Sequence, residues 1–257
     1  GLPVTVHLFD SLGAAIASLE NGEDELIGKP HEQINDPRMP AVVIDSMWRA
    51  MRKDPFMAPQ PRSFRRLRGG DTLKIGAREW QVVIGEGHSP EPACLYCAQD
   101  QILVAGDQVL PRISSNVLVT GIEPEANPLQ LWFNSLNLLD QLAPDALVLP
   151  SHERVFRGLH ARTQELREHH EHQFVLLRAH LEENAVCSAF EAMLCLFPRL
   201  RGPVDDMLAL GEAIAHLSWM CQAGELSRVL DEEGVYRFRL SEALVESPSE
   251  YLNLKLA

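Results

Sequence analysis

The sequence predicts an α/β sandwich followed by a small domain of two helices and a hairpin. Three observations carry that prediction. Short β-type runs alternate with helical ones over the first part of the chain. Polar residues with useful chemistry stand at the ends of those runs, not inside them. Near the end the pattern changes to helix, helix and two short strands around a turn.

Residues 3–8 read as a strand and residues 10–19 as a helix capped by Asp10 or Ser11, whose side-chain oxygens can accept from free N-terminal N–H groups. Residues 22–38 read as a loop and 41–52 as a second amphipathic helix. Residues 54–70 hold Pro55, Pro59, Pro61 and the pair Gly69 and Gly70, which interrupt regular structure. Arg62, Arg65, Arg66 and Arg68 in that loop read as a solvated connection rather than a binding patch. Residues 72–76 and 79–84 then read as strands around a short turn, and 93–98 and 101–105 as a hairpin turning near Gln99 and Asp100. Residues 129–142 have helical spacing, and 146–149 form an apolar run of the buried-strand type closed by Pro150.

A long helix is expected over residues 159–183. Its His169, His170 and His172 read as a solvated face. Neighbours on a helix diverge by about 100°, and none of the three stands four residues from another. Residues 188–196 and 204–222 read as helices, and 226–230 and 235–240 as strands around a turn at 231–234. That order is the order of a winged helix. No repeat or low-complexity tract is present.

Composition narrows the function. The net charge of −13 opposes a nucleic-acid surface, which needs a basic face to displace counterions. No apolar run reaches membrane-spanning length. The first residues lack a basic leader and a small-residue cleavage site, so a signal peptide is not expected. The five cysteines are scattered, which fits a reducing, cytoplasmic setting. Cys94 and Cys97 form a CxxC, but they fall within a strand, where alternation sends them to opposite faces. They read as two half-buried thiols rather than a redox or zinc pair.

Three residues point to metal chemistry: His88 after Gly85-Glu86-Gly87, Asp107 after Ala105-Gly106, and His152 after Pro150-Ser151. Imidazole nitrogens and carboxylate oxygens suit zinc and similar ions. A carboxylate between two ions can bridge them, and two ions can activate one water and polarise an oxygen of the substrate. A rigid sheet fixes such side chains at its rim. Singly, each is an ordinary turn residue. Together, with separations of 19 and 45 residues, they form a constellation.

That constellation carries a resemblance. Gly87-His88-Ser89-Pro90, Gly106-Asp107 and Pro150-Ser151-His152 resemble the third, fourth and fifth motifs of the metallo-β-lactamase superfamily. The resemblance covers roughly residues 1–175. It leans to the glyoxalase-II-like hydrolase branch through Arg112-Ile-Ser-Ser-Asn116 and Phe156-Arg-Gly-Leu-His160. The end of the chain is similar to the C-terminal domain of some members, endoribonucleases among them. The resemblance implies an αββα sandwich over residues 1–175, a winged-helix-like domain over 176–243 and a tail over 244–257. It implies two divalent ions, zinc or else iron or manganese. His88 would bind the first, Asp107 would bridge both as the catalytic carboxylate, and His152 would bind the second. The family's His-x-His-x-Asp-His motif does not occur in the chain; it is expected upstream, making this chain the downstream portion of the sandwich. Pro92 stands where relatives often carry His. His7 reads as a strand-end histidine, not a substitute ligand.

The expected function is a metal-dependent hydrolase whose activated water attacks an ester, thioester, lactone or related bond, active only with the upstream motif. Arg157 and His160 would contact an acidic group of a small-molecule substrate. Two alternatives stand beside it: a nuclease with a winged-helix reader, and a degenerate, non-catalytic binding or regulatory protein. Residues 203–222 carry Asp205, Asp206 and Glu212 and no Lys or Arg. The appendage is therefore read as a packing or dimerisation module, with a homodimer expected and nucleic acid and membrane disfavoured as partners.

Overall fold

Thr72–Ile75 (β1) and Arg78–Ile84 (β2) pair around a tight turn at Gly76, whose φ of 62° suits glycine. The structure, a computed structural model, describes residues 65–119, 123–199 and 202–241. The strand at 3–8, the helices at 10–19 and 41–52, Arg62 and the tail lie outside the described residues. Arg65, Arg66 and Arg68 are exposed.

The chain divides into two compact units. Among the described residues, the first takes in the chain up to Val117 together with Pro128–His170, and the second takes in Leu118–Asn127 and the chain from Glu171 onward.

In the first unit, Ala93–Cys97 (β3), Ile102–Gly106 (β4) and Leu147–Pro150 (β5) complete a sheet of order β1-β2-β3-β4-β5. Neighbours are antiparallel except β4 and β5, which are parallel. Parallel neighbours need a crossover, and the helix Pro128–Leu139 (α1) lies in that connection. Its Leu129, Trp132, Leu136 and Leu139 are buried at helical spacing. Each such apolar side chain contributes roughly 2 kcal/mol of burial. On the sheet, Tyr96 and Leu103 are cross-strand partners and both are buried. Tyr96 accepts the Ala143 N–H at 3.3 Å beyond α1. The helix ends at Leu139, not at residue 142, as the chain tightens into a turn ahead of Pro144.

The directions of the strands matter for function. Since β2 and β3, and β3 and β4, are antiparallel, β2 runs with β4, and β5 runs with both. The C-terminal ends of β2, β4 and β5 therefore open on one rim. The carboxyl ends of strands in such sheets are where ligands bind.

The CxxC pair departs from expectation. Among the described strands β3 is the middle one, and both Cys94 and Cys97 are fully buried rather than half-buried. Burial pushes the Cys94 thiol up to about 12. Alkylation of the folded protein with iodoacetamide at pH 8 is expected to spare Cys94 until denaturant is added. Rapid labelling without denaturant would contradict the burial.

The long helix Leu159–Asn184 (α2) carries the three histidines. His172 is exposed and His169 half-buried, but His170 is fully buried, against the solvated face that the sequence suggests. The cause is register: His170 falls on the buried stripe formed by Thr163, Leu166, Phe174, Leu177 and Leu181.

In the second unit, Ala189–Leu196 (α3) starts with a capping box. Glu191 N–H donates to Ser188 Oγ at 3.2 Å, and Ser188 N–H donates to the Glu191 carboxylate at 2.8 Å. Pro203–Gln222 (α4) follows, with proline in its first turn. Leu226–Leu230 (β6) and Tyr236–Leu240 (β7) form the hairpin, and Cys187 bridges Phe238 on its free side. The turn is organised by Asp231, which accepts the Glu233 and Val235 N–H groups at 3.0 and 2.9 Å. The Val235 N–H and Arg237 hold its carboxyl below the usual range. Phe174 stacks on Trp219 with centroids 4.5 Å apart. Among the described residues, no helix is long and apolar enough to cross a membrane.

Candidate metal centre

His88 reaches the rim from β2 through a turn that only glycine permits at position 87. Gly87 has φ 96°, and a Cβ there would lie 2.6 Å from the Pro128 carbonyl oxygen and 2.7 Å from Trp132 Cβ. The turn backbone thus rests directly on α1. It is also pinned at Glu86, whose carbonyl accepts from Gln108 Nε2 at 3.1 Å and Ser135 Oγ at 3.4 Å. The His88 Nδ1 lies 2.7 Å from the Asn116 carbonyl oxygen. A carbonyl only accepts, so Nδ1 carries the proton and Nε2 presents its lone pair.

Asp107 follows β4 directly. Ser115 Oγ donates to its backbone carbonyl, and Ser151 Oγ donates to its Oδ1. The Ser151 N–H donates to the Gly106 carbonyl at 3.0 Å, tying the end of β5 to the end of β4. His152 is the next residue. Its Nε2 stands 3.3 Å from Asp107 Oδ1, while His88 Nε2 stands 3.7 Å from Asp107 Oδ2. Each carboxylate oxygen therefore faces a different imidazole.

The chemistry of this donor set, two imidazoles and a carboxylate, suits divalent cations. At His88 a nitrogen lone pair faces an anionic oxygen, an arrangement that is favourable only with a proton or a cation between them. The carboxylate offers one oxygen to each imidazole. The side chains of His88, Asp107 and His152 are 29, 36 and 66% exposed, so the rim is open to further donors and to water.

The structure brings His88, Asp107 and His152 together but takes Arg157 and His160 elsewhere. After His152 the chain turns back, and Phe156 pairs antiparallel with Val148 of β5. That return carries Arg157 and His160 to the opposite rim. Arg157 Nη1 donates to the Asp145 carbonyl at 2.9 Å, and His160 Nε2 lies 3.0 Å from the Leu142 carbonyl oxygen. Substrate contact at the Asp107 rim is not where these two side chains point.

Residues beyond the three support the site. Glu153, next to His152, has a positive φ of 66°, a conformation a non-glycine residue adopts at a cost. Arg112 grips its carboxylate in a forked pair, at 3.2 and 2.9 Å to Oε1 and 3.2 Å to Oε2. The hydroxyl of Ser151 was visible beside His152, but its direction was not. The Asn116 contact uses a backbone carbonyl, which leaves no mark in side-chain identity.

Two family models match the chain. "Metallo-beta-lactamase superfamily" covers residues 16–152, and "Metallo-beta-lactamase-like, C-terminal domain" covers residues 177–241. Among solved structures, the chain is similar to a beta-lactamase domain protein from Burkholderia ambifaria, with 46% identity and a TM-score of 0.68. That match covers 70% of this chain and 53% of the other. It is also similar to a metallo-beta-lactamase family protein from Thermus thermophilus, with 26% identity and a TM-score of 0.61, over 79% of this chain and 66% of that one. The chain thus spans 53 and 66% of the lengths of these two relatives. No curated protein matches it.

Proposed function

This chain belongs to the metallo-β-lactamase superfamily, and from that premise we propose that it is a metal-dependent hydrolase acting on an ester, thioester, lactone or related bond of a small molecule. The observation that carries the reading is the convergence of His88 and His152 on the two oxygens of Asp107. Two ions, zinc or else iron or manganese, would activate a water and polarise the scissile carbonyl. His88 would hold one and His152 the other, each through Nε2, with Asp107 bridging. Asn116 keeps His88 in the tautomer that binds, and Ser151 orients Asp107 Oδ1. Zinc takes about four ligands, so three side chains do not fill two shells and activity requires further donors.

The C-terminal unit is proposed as a winged-helix-like packing or dimerisation module. Its helix α4 has Asp205 and Asp206 in the first turn and no Lys or Arg, which opposes a nucleic-acid reader. The test uses the complete polypeptide. Two metal equivalents per chain, and carbonyl-ester or lactone hydrolysis lost to a chelator and restored by zinc, are expected. A metal-free protein would favour a binding role, and RNA cleavage without carbonyl hydrolysis would favour a nuclease.

A further inference from the structure

The loop between β4 and α1 touches the surroundings of all three candidate ligands. Asn116 O meets His88 Nδ1, Ser115 Oγ donates to the Asp107 carbonyl, and Arg112 clamps Glu153 beside His152. Its described residues form no strand pairing. Ser114 Oγ lies 3.5 Å from His169 Nε2 of α2, and a second side chain, from the first turns of α2, holds the loop at two points. Arg162 Nε donates to the Leu110 carbonyl at 2.7 Å, and its Nη2 donates to the Ile113 carbonyl at 2.9 Å. Its remaining Nη1 meets Glu165 at 2.8 Å.

We propose that Arg162 is a positioning residue of the metal centre, which it sets in place through the loop spanning Leu110 to Asn116. The inference rests on the proposed metal site. Arg162 touches none of the three ligands. Its side chain is only 11% exposed, and its planar fork presents fixed N–H vectors that satisfy two carbonyls at once. With both carbonyls held, Asn116, Ser115 and Arg112 are delivered in register to three different ligand positions. A lysine offers a single ammonium point charge without the planar fork that addresses both carbonyls in fixed directions. Arg162 is thus a remote support of the kind whose loss weakens a metal site without removing a ligand.

The test is metal affinity, measured on the full chain by competition with a chromophoric chelator, together with the visible spectrum of the cobalt-substituted protein. Arg162→Gln is expected to weaken zinc binding by about 10–100-fold and to change the cobalt spectrum, while the far-UV circular dichroism stays that of the wild type. Arg162→Lys is expected to fall between the two. A purely structural arginine would lower the melting temperature and leave the affinity and spectrum of the folded fraction unchanged; that result overturns the inference. If Arg162→Gln does not fold, Arg162→Lys decides alone: weaker zinc binding supports the inference and wild-type binding overturns it. Asp107→Ala separates the two levels of the argument. Wild-type zinc affinity in that variant overturns the metal-site reading and this inference with it. Wild-type affinity confined to the Arg162 variants overturns this inference only.

Discussion

Asp107→Ala is expected to lower kcat/KM for the proposed hydrolysis by roughly 10³-fold or more and to reduce bound metal. The carboxylate is the one group in the proposed site that faces both imidazoles. Its removal deletes the bridge and the charge that offsets two cations. Charge stabilisation by catalytic metals is worth several kcal/mol, and each tenfold in rate corresponds to about 1.4 kcal/mol. Asp107 lies on an open rim and is 36% exposed, so the fold is expected to survive the change. Asp107→Asn keeps the shape and one oxygen acceptor but not the charge, and is expected to retain a little more metal than alanine. Turnover equal to wild type in Asp107→Ala would end the hydrolase reading at this site.

Gly87→Ala is expected to be the most damaging small substitution near the site, costing about 2–4 kcal/mol of stability. Two penalties act together. The backbone is at φ 96°, and the new Cβ would meet the Pro128 carbonyl and the Trp132 backbone, neither of which can swing aside. To relieve the clash the turn must lift off α1, taking His88 away from Asp107. Metal affinity should therefore fall along with the denaturation midpoint. Gly76→Ala supplies the comparison: its φ is 62° with nothing within 4 Å of the added carbon, so only the backbone strain of about 1 kcal/mol remains. Equal losses in the two variants would show that contact with α1 is not what makes Gly87 necessary.

The regular elements were legible because their patterns are local. Each described strand and helix lies within a few residues of its expected place, and the capping box at Ser188 and the turn at Gly234 are written in side-chain chemistry. The three motif residues were legible because strand ends mark themselves by composition, and the strand directions then bring them to one rim. What escaped was non-local. Phe156 returns along β5, and that pairing alone sends Arg157 and His160 to the far rim. His170 sits on the buried stripe of α2, which counting from His169 and His172 does not reveal. Cys94 and Cys97 alternate as expected, but a central strand is covered on both faces at those positions. Leu118–Asn127 joins the second unit although it lies between two segments of the first, and no local pattern announces such an excursion.

Besides Arg157 and His160, the far rim gathers Arg78 against Asp100, and Thr163 and Arg167 against Asp140. Those contacts clamp turns and the start of α2, while every proposed ligand occupies the other rim of the same sheet. Active sites are usually where a protein trades robustness for activity. In this sheet the two demands are separated by the length of a strand. Apart from Arg162, whose side chain reaches from the start of α2 to the loop beside the proposed ligands, mutational drift or thermostabilising design can work at one rim and leave the proposed chemistry of the other untouched.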